Sequence, residues 1–228
     1  MIVQTPAIVL KSFPYGDSSL IVRCYTRDQG KVSLIIKGAR RKKSPMAVYF
    51  QPTNHIDIIY YHKDTRELQT VSKVAFNDIW TGLGDDLKRI ALALSIIELT
   101  DKTNMNNDPH PNLFDLLLDV LRKINSKHEK LNLLFWYFEI QLLSILGFKP
   151  NLDQQEFRGM VLQDPFSGPN SGQILIALRD GDITSLSDIK VTPKDRKVIS
   201  EYLTDFLRYH FESISELKSL KILKQMLS

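Results

Sequence analysis

The sequence predicts an α+β fold, in which a small closed β-barrel at the N-terminus is followed by an α-helical domain. Two patterns predict this fold, and the distribution of charge adds an indication of function. Residues 1–80 alternate short runs rich in Val, Ile and Tyr with polar turns, whereas apolar residues recur at helical spacing from residue 81 onwards. Residues 1–80 also hold 12 Lys and Arg against 6 Asp and Glu, although the whole chain has a formal net charge of only +4. The excess positive charge therefore lies in the predicted barrel, which indicates a surface that faces a polyanion.

Five strands are predicted in the first part of the chain, at residues 7–11, 20–26, 31–37, 56–61 and 67–74. Alternation in the second and third strands puts Val22 and Leu34 on an apolar face and Arg23, Lys31 and Lys37 on the opposite one. Five short strands with one apolar and one basic face suit an OB-fold, a small five-stranded barrel. We therefore expect the three cations to project together from the outside of the barrel.

Helical spacing begins after residue 80, and the first helix is predicted to bury one face, made of Leu83, Leu87, Ile90, Leu94 and Ile97. Asp108 before Pro109 predicts the start of the second helix, with the acidic residue as its N-cap. These helices open a domain that we expect to span residues 81–228, after an OB-fold domain at residues 1–80.

The most apolar segment, residues 131–148, predicts a helix that is buried on most sides and ends at Gly147. A membrane-spanning helix needs about 20 nearly uninterrupted apolar residues, whereas polar residues such as Glu139 interrupt this segment. Residues 149–172, with three Pro and three Gly, predict an irregular insert, and helical spacing then returns and dominates residues 194–227. We expect no membrane association.

Catalytic and metal-binding patterns are scarce in this sequence. The single cysteine, Cys24, excludes an internal disulfide and every zinc site that needs two thiolates, and its place in an apolar strand indicates a buried thiol. We find no phosphate-binding glycine loop, nucleophile motif or histidine ligand spacing. The sequence therefore predicts a protein that is not an enzyme and that needs no cofactor. The N-terminal residues lack the features of a secretory signal, and we expect a cytoplasmic protein.

The basic loop, residues 37–43, is the strongest candidate site because it places five cations in seven residues before Pro45: Lys37, Arg40, Arg41, Lys42 and Lys43. Such a cluster is typical of polyanion binding, although a nuclear-localisation signal and a solvated loop are alternatives. The barrel also contains aromatic residues that would either stack on nucleic-acid bases or pack in the core, namely Tyr15, Tyr25, Tyr49, Phe50, Tyr60 and Tyr61. Together these residues favour single-stranded nucleic acid as the ligand.

A second cluster of cations, Arg122, Lys123, Lys127 and Lys130, lies beside apolar residues in the segment "RKINSKHEKL". This combination fits an acidic peptide with an apolar end, and a solvated loop between helices is the alternative.

Three segments resemble the bacterial DNA-repair mediator family RecO. They are "AIVLKSFPYGDSSLIVRCYTRDQGKVSLIIKGARRKKS", "FQPTNHIDIIYY" and "LLSILGFKPNLD", and residues 207–223 are more loosely similar to the family's C-terminal helices. The resemblance implies an N-terminal OB-fold, a helical domain and, in some members, a zinc module after the "LGF" segment. Residues 153–172 contain no cysteine where zinc-bearing members have pairs. We therefore expect the insert to be a remnant of that module without zinc ligands, with a poorly ordered linker as the alternative.

The resemblance also implies binding to single- and double-stranded DNA and annealing of complementary strands. It further implies RecR and single-strand-binding protein as partners, loading of RecA onto coated single strands, and a place in the bacterial cytoplasm with the nucleoid. Lys37, Arg40 and Arg41 match the family's basic loop, and we expect Arg23, Lys31, Lys42 and Lys43 to extend the same patch. An OB-fold protein that binds RNA in translation is the alternative function.

Overall fold

The computed structural model describes residues 1–126, 130–157 and 159–216. These residues form two compact units, one within residues 1–126 and the other within residues 130–216. The first unit contains a β-barrel and two long helices, and the second is mainly helical.

The barrel consists of five strands, which are β1 (Ile2–Tyr15), β2 (Ser19–Thr26), β3 (Gly30–Ile36), β4 (His55–Tyr61) and β5 (Leu68–Asp78). Their order around the closed barrel is β1-β2-β3-β5-β4, with a parallel pair between β3 and β5 and antiparallel pairs elsewhere. Strand β1 is long enough to pair with both β2 and β4. The predicted five-stranded OB-fold barrel is therefore confirmed, and a short helix, α1 (Met46–Tyr49), follows the basic loop.

The inside of the barrel is filled by the apolar faces predicted for β2 and β3. Val22, Cys24 and Leu34 are fully buried in one cluster with residues from the other strands, such as Ile56 and Ile58. Burial raises the pKa of the Cys24 thiol, which agrees with its predicted structural role.

The remaining elements are α2 (Leu87–Thr103), α3 (Pro111–Asn125), α4 (Leu131–Ile145), the two-residue strands β6 (Glu156–Phe157) and β7 (Met160–Val161), α5 (Ser171–Arg179) and α6 (Pro193–His210). Two 3₁₀ turns, Thr184–Leu186 and Glu212–Glu216, complete the described chain. The last predicted helix, which was expected to continue to residue 227, ends at His210, and residues 217–228 lie outside the described residues.

The apolar face predicted for α2 is partly wrong. Leu87 and Leu94 are 69% and 37% exposed, whereas Leu92, Ile96 and Leu99 are buried. Helix α2 carries apolar residues on most of its sides, so the helical spacing fits more than one set of positions. The elements packed against α2, which are α3 and the barrel strand β1, select the face that is buried.

The predicted start of α3 is two residues too early. His110 occupies the N-cap and Pro111 the first turn, in place of Asp108 and Pro109. The preceding residues are held against the barrel, because the backbone N–H of Asn107 donates to the carbonyl of Lys31 at 3.0 Å. This tertiary contact keeps the chain extended past the first proline.

Helix α4 is the buried central helix predicted from the sequence, and ten of its side chains are buried. Gly147 follows it with a φ of +87°, and the N–H of Phe148 donates to the carbonyl of Leu143 at 2.8 Å. This pattern is a glycine C-terminal cap, as predicted. Among the helices of the described ranges, none has both the length and the apolar character required to span a membrane.

Candidate nucleic-acid interface

The basic loop leaves the barrel after β3 and is fixed to the turn between β1 and β2. The N–H of Arg40 donates to the carbonyl of Ser18 at 2.8 Å, and its guanidinium Nη1 donates to the carbonyl of Gly16 at 3.1 Å. The side chain of Ala39 is buried in the barrel core, and the N–H of Arg41 closes a turn onto the carbonyl of Gly38. The backbone of the loop is therefore held in place while its long side chains remain exposed.

All five cations of the basic loop are exposed. In residues 1–126, 130–157 and 159–216, none of the five forms an ion pair with a carboxylate, whereas several cations elsewhere do. Unpaired cations packed this closely repel each other, and an anion on the loop relieves that repulsion. The geometry therefore suits a ligand with several negative charges.

Arg23 and Lys31 do not share an exposed surface with Lys37, which corrects the expectation from strand alternation. Lys31 is only 8% exposed, and its Nζ donates to the carbonyl oxygens of Asp101 and Asn104 at 2.7 and 2.5 Å. Arg23 Nη1 donates to both carboxylate oxygens of Asp101, at 2.9 and 2.8 Å. Burial lowers the pKa of Lys31, although the nearby Asp101 carboxylate acts in the opposite direction.

The reason for this difference is that the end of α2 covers one part of the outer face of the barrel. The carbonyls that accept from Lys31 belong to the last turn of α2 and to the residue that follows it, where an ammonium group also complements the helix dipole. Strand alternation decides on which side of the sheet a residue lies. It does not decide whether another element covers that side.

The aromatic residues of the barrel divide into two groups. Tyr25, Phe50 and Tyr60 are fully buried and belong to the core or its covered faces. Tyr15 and Tyr61 are 54% and 50% exposed, and they lie at opposite ends of β1, because Tyr61 pairs with Ile2. The remaining ring, Tyr49, stacks on Phe76 with 4.5 Å between centroids. Only Tyr15 adjoins the turn that holds the basic loop.

Sequence reasoning missed Lys11 and Phe13, which lie on the same outer face as Tyr15. The register of β1 against β2 shifts between Val9 and Lys11, so the alternation read from the first half of β1 does not continue into the second. The polar "PYGDSS" turn also suggested that the strand ended before Phe13. If one extra residue is allowed between Val9 and Lys11, the alternation continues and predicts that β1 extends to Tyr15.

The described members of the second cation cluster have partners within the protein. Arg122 Nη2 lies 2.9 Å from Asp78 Oδ2, and Lys123 pairs with Asp119. Lys130 Nζ donates to the carbonyls of Leu186, Ser187 and Ile189. Lys127 lies outside the described residues. The apolar neighbours Leu121, Ile124 and Leu131 are buried, and the peptide site stays a prediction.

The insert does not fit a zinc ion. It forms the small hairpin β6–β7, and its possible ligands in the described ranges are carboxylates such as Asp153, Glu156 and Asp164, without a thiolate or an imidazole. Asp164 already accepts from the N–H of Phe166 at 2.9 Å. Within the described ranges, no three His, Cys, Asp or Glu side chains come close enough together to hold a metal.

Two family models match the chain: Recombination protein O N terminal over residues 1–80, and Recombination protein O C terminal over residues 84–176. Similar relatives include the DNA repair protein RecO of Salinibacter ruber, which is 29% identical over 99% of this chain and 94% of its own length. The protein of that name from Chloroherpeton thalassium is 34% identical over 79% of this chain and 70% of its own length. The one from Chlorobium limicola is 27% identical over the full length of both chains.

Proposed function

This chain belongs to the recombination protein O family, and from that premise we propose that it is a non-catalytic mediator of recombinational DNA repair that binds DNA through its basic loop. The relatives named DNA repair protein RecO indicate the repair role. The observation that supports the placement is the exposure of five cations that form no ion pair with any described carboxylate, on a loop whose backbone is fixed to the barrel.

The proposed mechanism requires no covalent chemistry. Lys37, Arg40 and Arg41 contact phosphates first, and Lys42 and Lys43 extend the contact along the strand. A cationic surface lowers the repulsion between two phosphate backbones, so that complementary strands approach and anneal. If about five phosphates are contacted, the logarithm of the affinity for a single strand falls with the logarithm of salt concentration with a slope of roughly −3 to −4.

The wider role in this proposal comes from the family. The OB-fold region, residues 1–80, binds single- and double-stranded DNA, and the helical region, residues 81–228, docks RecR and single-strand-binding protein. The protein would thereby help to load RecA onto coated single strands, in the cytoplasm and close to the nucleoid. Arg23 and Lys31 contribute indirectly in this scheme, by fixing the barrel that presents the loop.

A charge-reversal experiment tests the placement. The triple variant Lys37→Glu, Arg40→Glu and Arg41→Glu is expected to lose at least about tenfold in affinity for a single strand and to show a shallower salt dependence. A matched control reverses Lys194, Arg196 and Lys197, which are exposed at the start of α6, and is expected to bind as the wild type does. Binding is measured by fluorescence anisotropy on single-stranded and duplex DNA.

Annealing assays test the activity itself. Wild-type protein is expected to accelerate the annealing of complementary DNA strands, both bare and coated with single-strand-binding protein. Parallel reactions with complementary RNA separate this function from that of an RNA-binding OB-fold protein. Undiminished DNA binding by the loop variant would refute the placement, and faster annealing of RNA than of DNA would refute the repair role.

A further inference from the structure

The outer face of β1, β2 and β3 changes in character along its length. One end of the face lies close to the segment that follows α2. At this end Ile8 and Tyr25 are fully buried, and Lys31, which pairs with Tyr25, is also buried. At the other end, beside the turn that holds the basic loop, Tyr15 is exposed and the paired Ser19 is half-buried. The same face is therefore closed at one end and open at the other.

Phe13 and Tyr15 lie side by side on the open part of this face. After the register shift in β1, they pair with Ile21 and Ser19 of β2, which alternate with the core residue Leu20. Paired residues of antiparallel strands point to the same side of the sheet, so both rings point outward. Phe13 is half-buried and Tyr15 is exposed, and both belong to the part of β1 whose backbone is paired with β2.

Cations border the two rings. Lys11 Nζ lies over the Phe13 ring, 5.7 Å from its centroid. The guanidinium of Arg40 donates to the carbonyl of the residue directly after Tyr15 and so brings the basic loop to the same edge. One carboxylate, Asp17, lies in the turn and is outnumbered by the cations. The rings thus lie beside a surface whose charge is complementary to phosphates.

We propose that Phe13 and Tyr15 form a base-stacking platform for single-stranded DNA, whose phosphates run over the basic loop and Lys11. Aromatic rings on an OB-fold surface stack on bases without reading their sequence, and neighbouring cations hold the backbone. In a duplex the bases are stacked on each other, so the platform favours single strands over duplexes. This inference rests on the proposed DNA-binding function. It assigns residues that contact the bases, whereas the basic loop contacts the phosphates.

The test compares Tyr15→Ala and Phe13→Leu, alone and combined, with Tyr61→Ala as the matched control. Tyr61 is about as exposed as Tyr15 but lies at the other end of β1. Binding is measured to an oligothymidylate, an abasic strand of the same length and a duplex. The Tyr15 variant is expected to lose about five- to hundredfold in affinity for the oligothymidylate and to bind the abasic strand and the duplex as before. The Tyr61 variant is expected to bind all three ligands normally.

Several outcomes overturn the platform and are distinguishable from a failure of the proposed function. If the combined variant binds the oligothymidylate normally while the charge-reversed loop does not, the loop binds DNA without stacking. Equal losses on all three ligands would mean that the rings only shape the loop. Normal DNA binding with lost binding of single-strand-binding protein would assign the rings to a protein partner. If the wild type binds none of the three ligands, the proposed function itself fails.

Discussion

At the scale of single residues, Asp101 is the point at which the charged contacts between α2 and the barrel converge. Its carboxylate side chain is almost entirely buried, accepts two hydrogen bonds from Arg23 and lies 3.7 Å from Lys31 Nζ. A buried carboxylate is tolerated only when it is paired, because its desolvation costs several kcal/mol. Arg23 and Lys31 therefore have a structural role that accounts for their positions.

Removal of the Asp101 carboxylate is expected to destabilise the folded protein. The substitution Asp101→Ala leaves the buried Lys31 ammonium without its counter-charge and should lower the free energy of unfolding by about 3–5 kcal/mol. The control Asp115→Ala breaks an exposed pair with Arg27 and should cost at most about 1 kcal/mol. Urea unfolding followed by circular dichroism measures both values, and similar losses would contradict the structural role of Asp101.

His55 is expected to make the stability depend on pH. Its Nδ1 lies 2.7 Å from Asp78 Oδ2, which also accepts from Arg122, and its ring packs edge-on against Phe114. Burial lowers the pKa of His55 below its ordinary value of 6.5, although Asp78 acts in the opposite direction. The unfolded chain therefore takes up this proton first as the pH falls, and stability decreases from about pH 6.5 downward towards the folded pKa.

The variant His55→Gln isolates this contribution. It should be less stable than the wild type at neutral pH. The difference in the free energy of unfolding should shrink as the pH falls from 7 towards the folded pKa of His55, because the variant has no proton to take up at this position. Chemical denaturation at a series of pH values measures the difference. A difference that is constant across this range would show that His55 has the same pKa in both states.

At the scale of elements, the start of β3 and the segment after α2 approach each other closely. Gly30 has a φ of +64°, and a Cβ at this position would overlap the backbone carbonyl of Asp108. The glycine is required by both its conformation and its surroundings. This contact, together with the hydrogen bond from Asn107 to Lys31, explains why α3 starts at Pro111.

Two glycine substitutions separate the energetic cost of a positive φ from the cost of steric overlap. Gly16 also has a positive φ, +53°, but nothing lies within 4 Å of a Cβ there. Gly16→Ala should therefore cost about 1–2 kcal/mol from the left-handed conformation alone. Gly30→Ala should cost about 2–5 kcal/mol, because overpacking is added. Unfolding in urea measures both, and equal costs would mean that the segment after α2 moves aside freely.

At the scale of the whole molecule, the barrel and the two helices that follow it share one compact unit within residues 1–126. The outer residues Ile8 and Tyr25 are fully buried, although the barrel core lies on the other face of the sheet. The domain boundary at residue 80 stays a prediction. It marks the change from strands to helices, and the contacts of Asp101 cross it.

A pair of fragments tests this boundary. The fragment 1–126 is expected to unfold in one cooperative transition. The fragment 1–80 lacks Asp101 and the backbone carbonyls that accept from Lys31, and it should be several kcal/mol less stable or unfolded. Circular dichroism and urea titration distinguish the two, and equal stability would establish residues 1–80 as an independent domain.

The sequence by itself was sufficient for the local structure. The five strands, the apolar lining of the barrel and the central helix with its cap at Gly147 were all predicted. Strand and helix geometry determine which nearby residues share a face, so these elements produce regular patterns of apolar residues in the sequence. It was insufficient where a register shift interrupts the pattern, as between Val9 and Lys11, and Phe13 was missed for that reason. The exposed charges of the basic loop were predicted because turn chemistry and charge density are also local.

Only the tertiary structure decided what each outward-facing residue does. Alternation put Arg23, Lys31 and Lys37 on the same side of the sheet, yet Asp101 and the end of α2 bind the first two and leave the third exposed. The physical reason is that covering a face depends on contacts between residues far apart in the chain. The periodic pattern of residues along a strand gives no information about those contacts. A cation that binds phosphate therefore cannot be distinguished in the sequence from one that binds the end of a helix.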